Sequence, residues 1–303
     1  MQESIKLAYS DKYLYTLPEG HRFPIIKYEL VKEQLVYQGI IQPEQLLDPG
    51  LADEQDILRV HDEEYWQQVR DLTLDDKAQR KIGLPLTGLS VNRARNSVAG
   101  TIAASDRALQ DGLGINLAGG THHAYAGHGE GFSVLNDIAI ASVKLLEEKK
   151  VYQVLVVDLD VHQGNGTASV FENDSRVFTF SVHGKDNYPL KKEVSDLDVA
   201  LPTGTGDDRY LDLVEYQLGK LFPKVSPDIV FYQSGVDVLE TDKLGKLSLS
   251  KTGCQQRDEL VFRFCRRYNT PVVVTMGGGY SERVADIVDA HCNTIKAGLD
   301  FLT

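Results

Sequence analysis

The chain has 303 residues, 42% hydrophobic and 25% charged, enough apolar content for a sizeable core and too much for wholesale disorder. Lys and Arg number 32 against 44 Asp and Glu, a net charge of −12. That balance speaks against direct nucleic-acid binding, because affinity for phosphate backbones comes from clustered positive charge. No apolar run approaches the roughly 18 residues that span a bilayer, and the start Met1-Gln2-Glu3-Ser4-Ile5-Lys6 lacks the apolar stretch of a secretory signal, which gives a cytoplasmic expectation.

Six short runs rich in Val, Leu and Ile read as strands, at 5–9, 114–118, 154–160, 177–182, 229–233 and 272–276. Continuous apolar runs of this kind fit strands buried on both faces, as in a parallel sheet. Between them, 91–110, 207–222, 251–268 and 282–302 carry helical spacing; the second opens on Asp207-Asp208, an acidic pair suited to a helix N-terminus. Strands alternating with helices predict a doubly wound α/β fold. The stretch 184–209, with Pro189, Pro202, Gly204 and Gly206, reads as one long polar connection of the kind that is functional or mobile. No repeat or low-complexity linker divides the chain, so a single domain over 1–303 is expected. Cys254, Cys265 and Cys292 form no CxxC and are odd in number, which predicts buried free thiols rather than a disulfide framework.

In open α/β sheets, ligands bind beyond the carboxyl ends of the strands. Four runs end there in reactive residues: Gly119-Gly120-Thr121-His122-His123, Asp158-Leu159-Asp160-Val161-His162, Ser234-Gly235-Val236-Asp237 and Gly277-Gly278-Gly279-Tyr280. Asp160 and His162 are two apart, so an extended backbone points both side chains the same way. With Asp237 they make a set of two carboxylates and one imidazole, three ligands that leave a position open for water or substrate. A neutral histidine beside such a site is a natural general base. Tyr280, projected by glycines, offers a hydroxyl to a developing oxyanion. The competing structural reading has the acidic residues capping neighbouring helices and one of the paired histidines merely packing. It accounts for any one of these residues and poorly for their convergence at one edge.

The motifs Gly-Gly-Thr-His-His-Ala at 119–124, Gly-Phe-Ser-Val-Leu-Asn-Asp at 131–137, Asp-Leu-Asp-Val-His-Gln-Gly-Asn-Gly at 158–166 and Gly-Gly-Gly-Tyr at 277–280 resemble those of the zinc-dependent histone deacetylase family. That family includes acetylpolyamine amidohydrolases and acetoin-utilisation proteins. The His-Gln-Gly-Asn-Gly variant and the His-Arg-Phe-Pro start at 21–24 look most like its class IV branch and bacterial relatives. The resemblance implies a single arginase/deacetylase-type domain with a largely parallel eight-stranded sheet. It implies one zinc ion per chain on Asp160, His162 and Asp237, with iron(II) an alternative in the cell, since ligand type does not decide between them. His122, His123, Tyr280, Asp158 and Asn165 match catalytic positions. Asp158, Asp160, His162, Ser181 and Val182 match an inner potassium or sodium site. Gly131, Phe132, Tyr188, Gly278 and Arg22 match the substrate tunnel, Arg22 as a channel arginine.

Two departures stand out. Asn165 occupies a position where many relatives carry an acidic partner for the second histidine, and the loop at Ile82-Gly83-Leu84-Pro85 lacks the rim aspartate that grips a peptide backbone. The implied activity is zinc-assisted hydrolysis of acyl-lysine in protein or peptide, with acylated polyamines as the alternative substrate. Without the rim aspartate, binding falls more on the acyl group, which predicts medium or long acyl chains to serve at least as well as acetyl. The rival readings are a binuclear manganese ureohydrolase, which needs further bridging carboxylates, and a silent acyl-lysine-binding protein, which has no need of Tyr280.

Overall fold

A computed structural model describes residues 5–302. Strands β1 (Leu7–Ala8), β2 (Leu46–Leu47), β3 (Leu113–Asn116), β4 (Val154–Asp158), β5 (Val177–Gly184), β6 (Leu197–Leu201), β7 (Ile229–Gln233) and β8 (Val272–Thr275) form one sheet. Their order is β2-β1-β3-β8-β7-β4-β5-β6, and every neighbouring pair is parallel. Alternate residues of the central strands feed two apolar cores. Leu155, Val157, Val230, Tyr232, Val272 and Val274 join one; Val154, Val156, Ile229, Phe231 and Val273 join the other. Both faces are therefore covered, which is why these strands read as unbroken apolar runs.

Helices Lys251–Arg267 and Val284–Leu302 pack on the first core, and Asp137–Glu147 on the second. Helix Gly88–Asp111 approaches β3 so closely that a Cβ on Gly114 would lie 1.7 Å from the Ala104 carbonyl oxygen, so glycine is required there. The helices predicted at 91–110, 207–222, 251–268 and 282–302 are present as Gly88–Asp111, Asp207–Val225, Lys251–Arg267 and Val284–Leu302. Among the described residues no helix is long and apolar enough to cross a membrane. Cys254, Cys265 and Cys292 are free and buried.

The stretch 184–209 differs from its reading as one polar connection, because it contains edge strand β6. Leu197, Val199 and Leu201 face inward while Asp198 and Ala200 are exposed. Five residues with a solvated face, set between prolines and glycines, give only a weak apolar signal. Strand β2 and helix Lys27–Tyr37 were likewise not signalled, the helix because polar residues interrupt its apolar face.

The register aligns the chemistry. Asn116, Thr275, Gln233, Asp158 and Ser181 stand opposite one another across β3, β8, β7, β4 and β5 as one polar row. The loops that follow the four central strands carry the reactive residues, all at the same edge.

Candidate active site

Each loop at this edge is held by buried polar contacts. Asp137 accepts from the Gly120 and Thr121 backbone N–H groups at 3.0 and 2.7 Å and from the Thr101 and Thr121 hydroxyls at 2.5 Å each. Gly120 is left-handed (φ 78°), and a Cβ there would lie 2.0 Å from Gln233 Oε1. Gln233 itself donates to the Gly120 carbonyl at 2.8 Å. On the other side, the buried Arg257 guanidinium donates to the carbonyls of Leu159 and Gly235 at 3.1 and 2.6 Å. Its carboxylate partner Asp258, at 2.7 Å, is itself held by Tyr232 and Thr294. The loops after β4 and β7 are thus clamped together.

That clamp brings Asp160, His162 and Asp237 into one cluster whose ligating atoms lie within 4.8 Å of one another, all buried. His162 Nδ1 is 3.1 Å from Asp160 Oδ1 and 3.0 Å from Asp237 Oδ2. The other carboxylate oxygens take backbone donors: Gly278 N–H reaches Asp160 Oδ2 at 2.8 Å and Val161 N–H reaches Asp237 Oδ1 at 2.9 Å. A Cβ on Gly278 would lie 1.9 Å from Asp237 Oδ2, so only glycine brings this donor in. Burial and the neighbouring Asp160 charge push the Asp237 carboxyl up to about 7. Burial opposes a charge on His162, but the two carboxylates outweigh it and raise the imidazole to about 10. A buried Asp237 and His162 both driven toward their protonated forms beside the charged Asp160, with oxygen and nitrogen donors at metal-like spacing, fit a divalent ion in place of those protons.

Around this cluster the paired histidines take different partners. His122 Nδ1 meets Asp158 Oδ2 at 2.7 Å; burial opposes its charge, but Asp158 and Asp160 hold it up at about 9. His123 Nδ1 meets Asn165 Oδ1 at 2.6 Å, and burial together with the neighbouring imidazoles holds it well below the usual histidine range. His122 is thus held toward its charged form beside a carboxylate, and His123 toward its neutral form. The His162 ring centroid is 5.9 Å from that of His123 and 6.3 Å from that of Tyr280. Burial and the Asp237 and Asp160 charges push the Tyr280 phenol well above its ordinary value, so it keeps its proton.

Tyr280 is not on a loose loop. Its N–H donates to Asp242 Oδ2 at 2.6 Å, and Asp242 also accepts from Leu244 and Gly245 at 2.8 Å each. Lys27 lies fully buried behind it, donating to the Gly277 carbonyl at 2.7 Å, and burial lowers its amine to about 8. The glycines serve close approach: a Cβ on Gly279 would lie 2.7 Å from Val236.

A cavity of about 350 Å³ opens from solvent onto His123, His162 and Tyr280. Phe132 and Tyr188 flank it, and the Tyr188 ring stands edge-on to His123 at 5.1 Å. Phe132 is left-handed (φ 66°), a strained conformation for a non-glycine residue. Its N–H donates to the Ile82 carbonyl at 2.7 Å and Gly131 N–H to that of Lys81 at 3.1 Å, which hold the wall in place. Arg22, expected as a channel arginine, lines the mouth of this cavity and is exposed. Beyond His162 lies a recess of about 30 Å³, reaching Tyr28 and Arg93. That is room for about two water-sized groups. A recess of that size has room for a two-carbon group rather than for a long chain. Ser181 faces Asp158 across β4 and β5 with Val182 beside it, and the Ser181 hydroxyl contacts His183 at 3.0 Å.

Lys27, Asp242 and Glu130 were not found from the sequence, since single Lys, Asp and Glu residues outside strand-end motifs carry no spacing signal. Glu130, beside the tunnel motif, donates nothing and accepts from Asn165 and Tyr188.

Residues 21–295 match the histone deacetylase domain family. The chain is 44% identical over 294 residues to an uncharacterized protein of Picosynechococcus sp., covering 97% of this chain and 98% of the other. It is 30% identical to histone deacetylase 2 of Arabidopsis thaliana, over 97% of this chain and 80% of that one. Among solved structures, an HDAC homolog from Aquifex aeolicus superposes with a TM-score of 0.82 at 23% identity, covering 97% of this chain and 83% of that one, a likeness of fold.

Protons and a divalent cation compete for the same donors. Since burial holds the Asp237 carboxyl at about 7 and the carboxylates hold His162 at about 10, raising the pH from 6 to 8 removes protons that oppose metal uptake. Apparent affinity for zinc, measured by chelator competition, should therefore rise steadily over that interval. A pH-independent affinity would show that this cluster is not where the ion binds.

Proposed function

Because the chain belongs to the histone deacetylase family, we propose that it hydrolyses the side-chain amide of acyl-lysine in proteins or peptides, with residues 1–303 as one catalytic domain and a single divalent metal on Asp160, His162 and Asp237. The observation that carries this reading is the placement of His123, held toward its neutral form, and a protonated phenol, Tyr280, both within about 6 Å of the His162 ring of that buried donor set, at the foot of an aromatic-walled cavity. Zinc or iron(II) held there would act as a Lewis acid on the acyl carbonyl and acidify a water molecule near neutral pH. His123 Nε2 takes the proton from the attacking water. His122, paired with Asp158, remains cationic and stabilises negative charge as it develops. Tyr280 donates its hydroxyl hydrogen bond to the oxyanion on the former carbonyl oxygen. As the C–N bond breaks, His123 returns its proton to the leaving amine, giving a free lysine and a carboxylate.

Among the described residues one cluster of His, Cys, Asp or Glu has metal-binding spacing. This favours the mononuclear hydrolase over a binuclear ureohydrolase. Asp158, Asp160, His162, Ser181 and Val182 are retained in this reading as an inner potassium or sodium site. The register that sets Ser181 opposite Asp158 supports it.

The mouth separates lysine from polyamine substrates. Arg22, Arg80, Lys81 and Lys246 line it with one exposed carboxylate, Asp186. Arg80 and Lys81 sit in the last turn of helix Asp76–Ile82, just before the loop that lacks the rim aspartate. On a chain of net charge −12 this is a local reversal of sign that repels a cationic polyamine and attracts an acidic peptide. Peptides with Asp or Glu flanking acetyl-lysine should therefore give higher kcat/KM than Lys- or Arg-flanked ones, and both should exceed acetylated polyamines. Added salt should narrow the gap, and octanoyl-lysine should fall below acetyl-lysine. Preference for the polyamine would overturn the lysine assignment.

Tyr280→Phe tests the chemistry. The lost hydrogen bond strengthens only as charge builds on oxygen, so kcat should drop by roughly 100- to 1000-fold with KM little changed. Unchanged kcat with raised KM would make Tyr280 a substrate-binding group instead.

A further inference from the structure

Asn165 is an amide where a carboxylate would be the simpler partner for His123, and the structure shows a carboxylate one step behind it. Glu130 is 4% exposed. Its Oε1 accepts from Asn165 Nδ2 at 2.6 Å and from the Tyr188 hydroxyl at 2.7 Å. Its Oε2 faces Lys81 Nζ at 2.6 Å and His128 Nε2 at 3.4 Å. Burial opposes its charge, but these donors outweigh it and keep the carboxyl well below the usual carboxylate range. An ionised carboxylate only accepts hydrogen bonds, whereas an amide has one end that donates and one that accepts. Glu130 therefore forces the Asn165 NH₂ toward itself and the Asn165 carbonyl toward His123. A carbonyl at 2.6 Å from His123 Nδ1 in turn requires the proton on that nitrogen. The remaining nitrogen, Nε2, is then left with its lone pair free.

We propose that Glu130 is a positioning residue which, through the orientation of the Asn165 amide, fixes His123 in the Nδ1–H tautomer that leaves Nε2 unprotonated. The inference rests on the reading of His123 as the base. It also explains the amide at 165: an aspartate there would set two buried carboxylates about 2.6 Å apart, the spacing of the present contact, with no proton between them. The same carboxylate holds Tyr188 against His123, so the tunnel wall and the tautomer share one anchor.

The test is a swap of the two groups in the metal-loaded protein: Glu130→Gln, Asn165→Asp and the double variant. Each single change should lower kcat by about 10- to 100-fold, the range for partners that orient a functional histidine. The first makes the amide orientation ambiguous; the second opposes two carboxylates. In the double variant the carboxylate sits next to His123 and the amide behind it, so kcat should return to within about 10-fold of wild type, a coupling that independent packing defects do not show. In parallel, nitrogen-15 spectra of labelled histidine should show the His123 Nδ1–H species in the wild type and the double variant, and a mixture of tautomers in Glu130→Gln. Losses that multiply in the double variant, with the His123 tautomer unchanged in all four proteins, would overturn the proposal. If the wild type turned over no acyl-lysine but the tautomer still shifted in Glu130→Gln, the relay would stand and the functional reading would fall.

Discussion

Asp160 and Asp237 are buried side by side around one imidazole, and two carboxylates in a dry interior repel each other unless something positive joins them. Much of the rest of the molecule answers that constraint. The parallel sheet delivers both residues from the ends of β4 and β7, neighbouring strands whose loops leave at the same edge. Arg257 ties those loops through their carbonyls, and the Gly278 and Val161 N–H groups cover the carboxylate oxygens that face away from His162. Lys27 adds a buried positive charge behind the glycine loop. A set of anions assembled this tightly is a place prepared for a cation.

The same low-dielectric setting separates two adjacent histidines into different states. His122 has a carboxylate partner and stays charged; His123 has an amide partner and stays neutral. Desolvation acts on both, so the difference comes from the charged neighbours: Asp158 and Asp160 favour a charge on His122, whereas His122 and His162 disfavour one on His123. Further out, the molecule reverses its overall sign: an acidic chain presents a cationic mouth above an anionic foot. On the proposed function, electrostatics would sort substrates at the rim and polarise the amide at the bottom, with aromatic walls between that suit the methylenes of a lysine stem.

The strand ends were legible because fully buried strands leave long apolar runs, and the residues that follow them are polar and reactive. Asp160, His162 and Asp237 could be picked out on that basis and do come together. Strand β6 was hidden by its solvated face, and the helices near the N-terminus by mixed polarity. Arg22 was matched by motif position and does line the cavity mouth, whereas the buried Lys27 gave no signal, its burial following from helix Lys27–Tyr37 starting there. Glu130 was invisible for another reason: its proposed role depends on the orientation of the Asn165 amide, which is set by contacts with His123, Tyr125 and Glu130, far from it in sequence. The glycines before Tyr280 gave no sign of what holds that loop, which is the Asp242 carboxylate accepting from Tyr280, Leu244 and Gly245.

The central claim is that three side chains hold one catalytic ion. Elemental analysis of the purified protein and of Asp237→Ala, each dialysed against metal-free buffer, tests it most directly. The account predicts about one divalent ion per chain in the wild type and nearly none in the variant, since the two remaining donors bind poorly. Full occupancy in Asp237→Ala, or two ions per chain in the wild type, would contradict it.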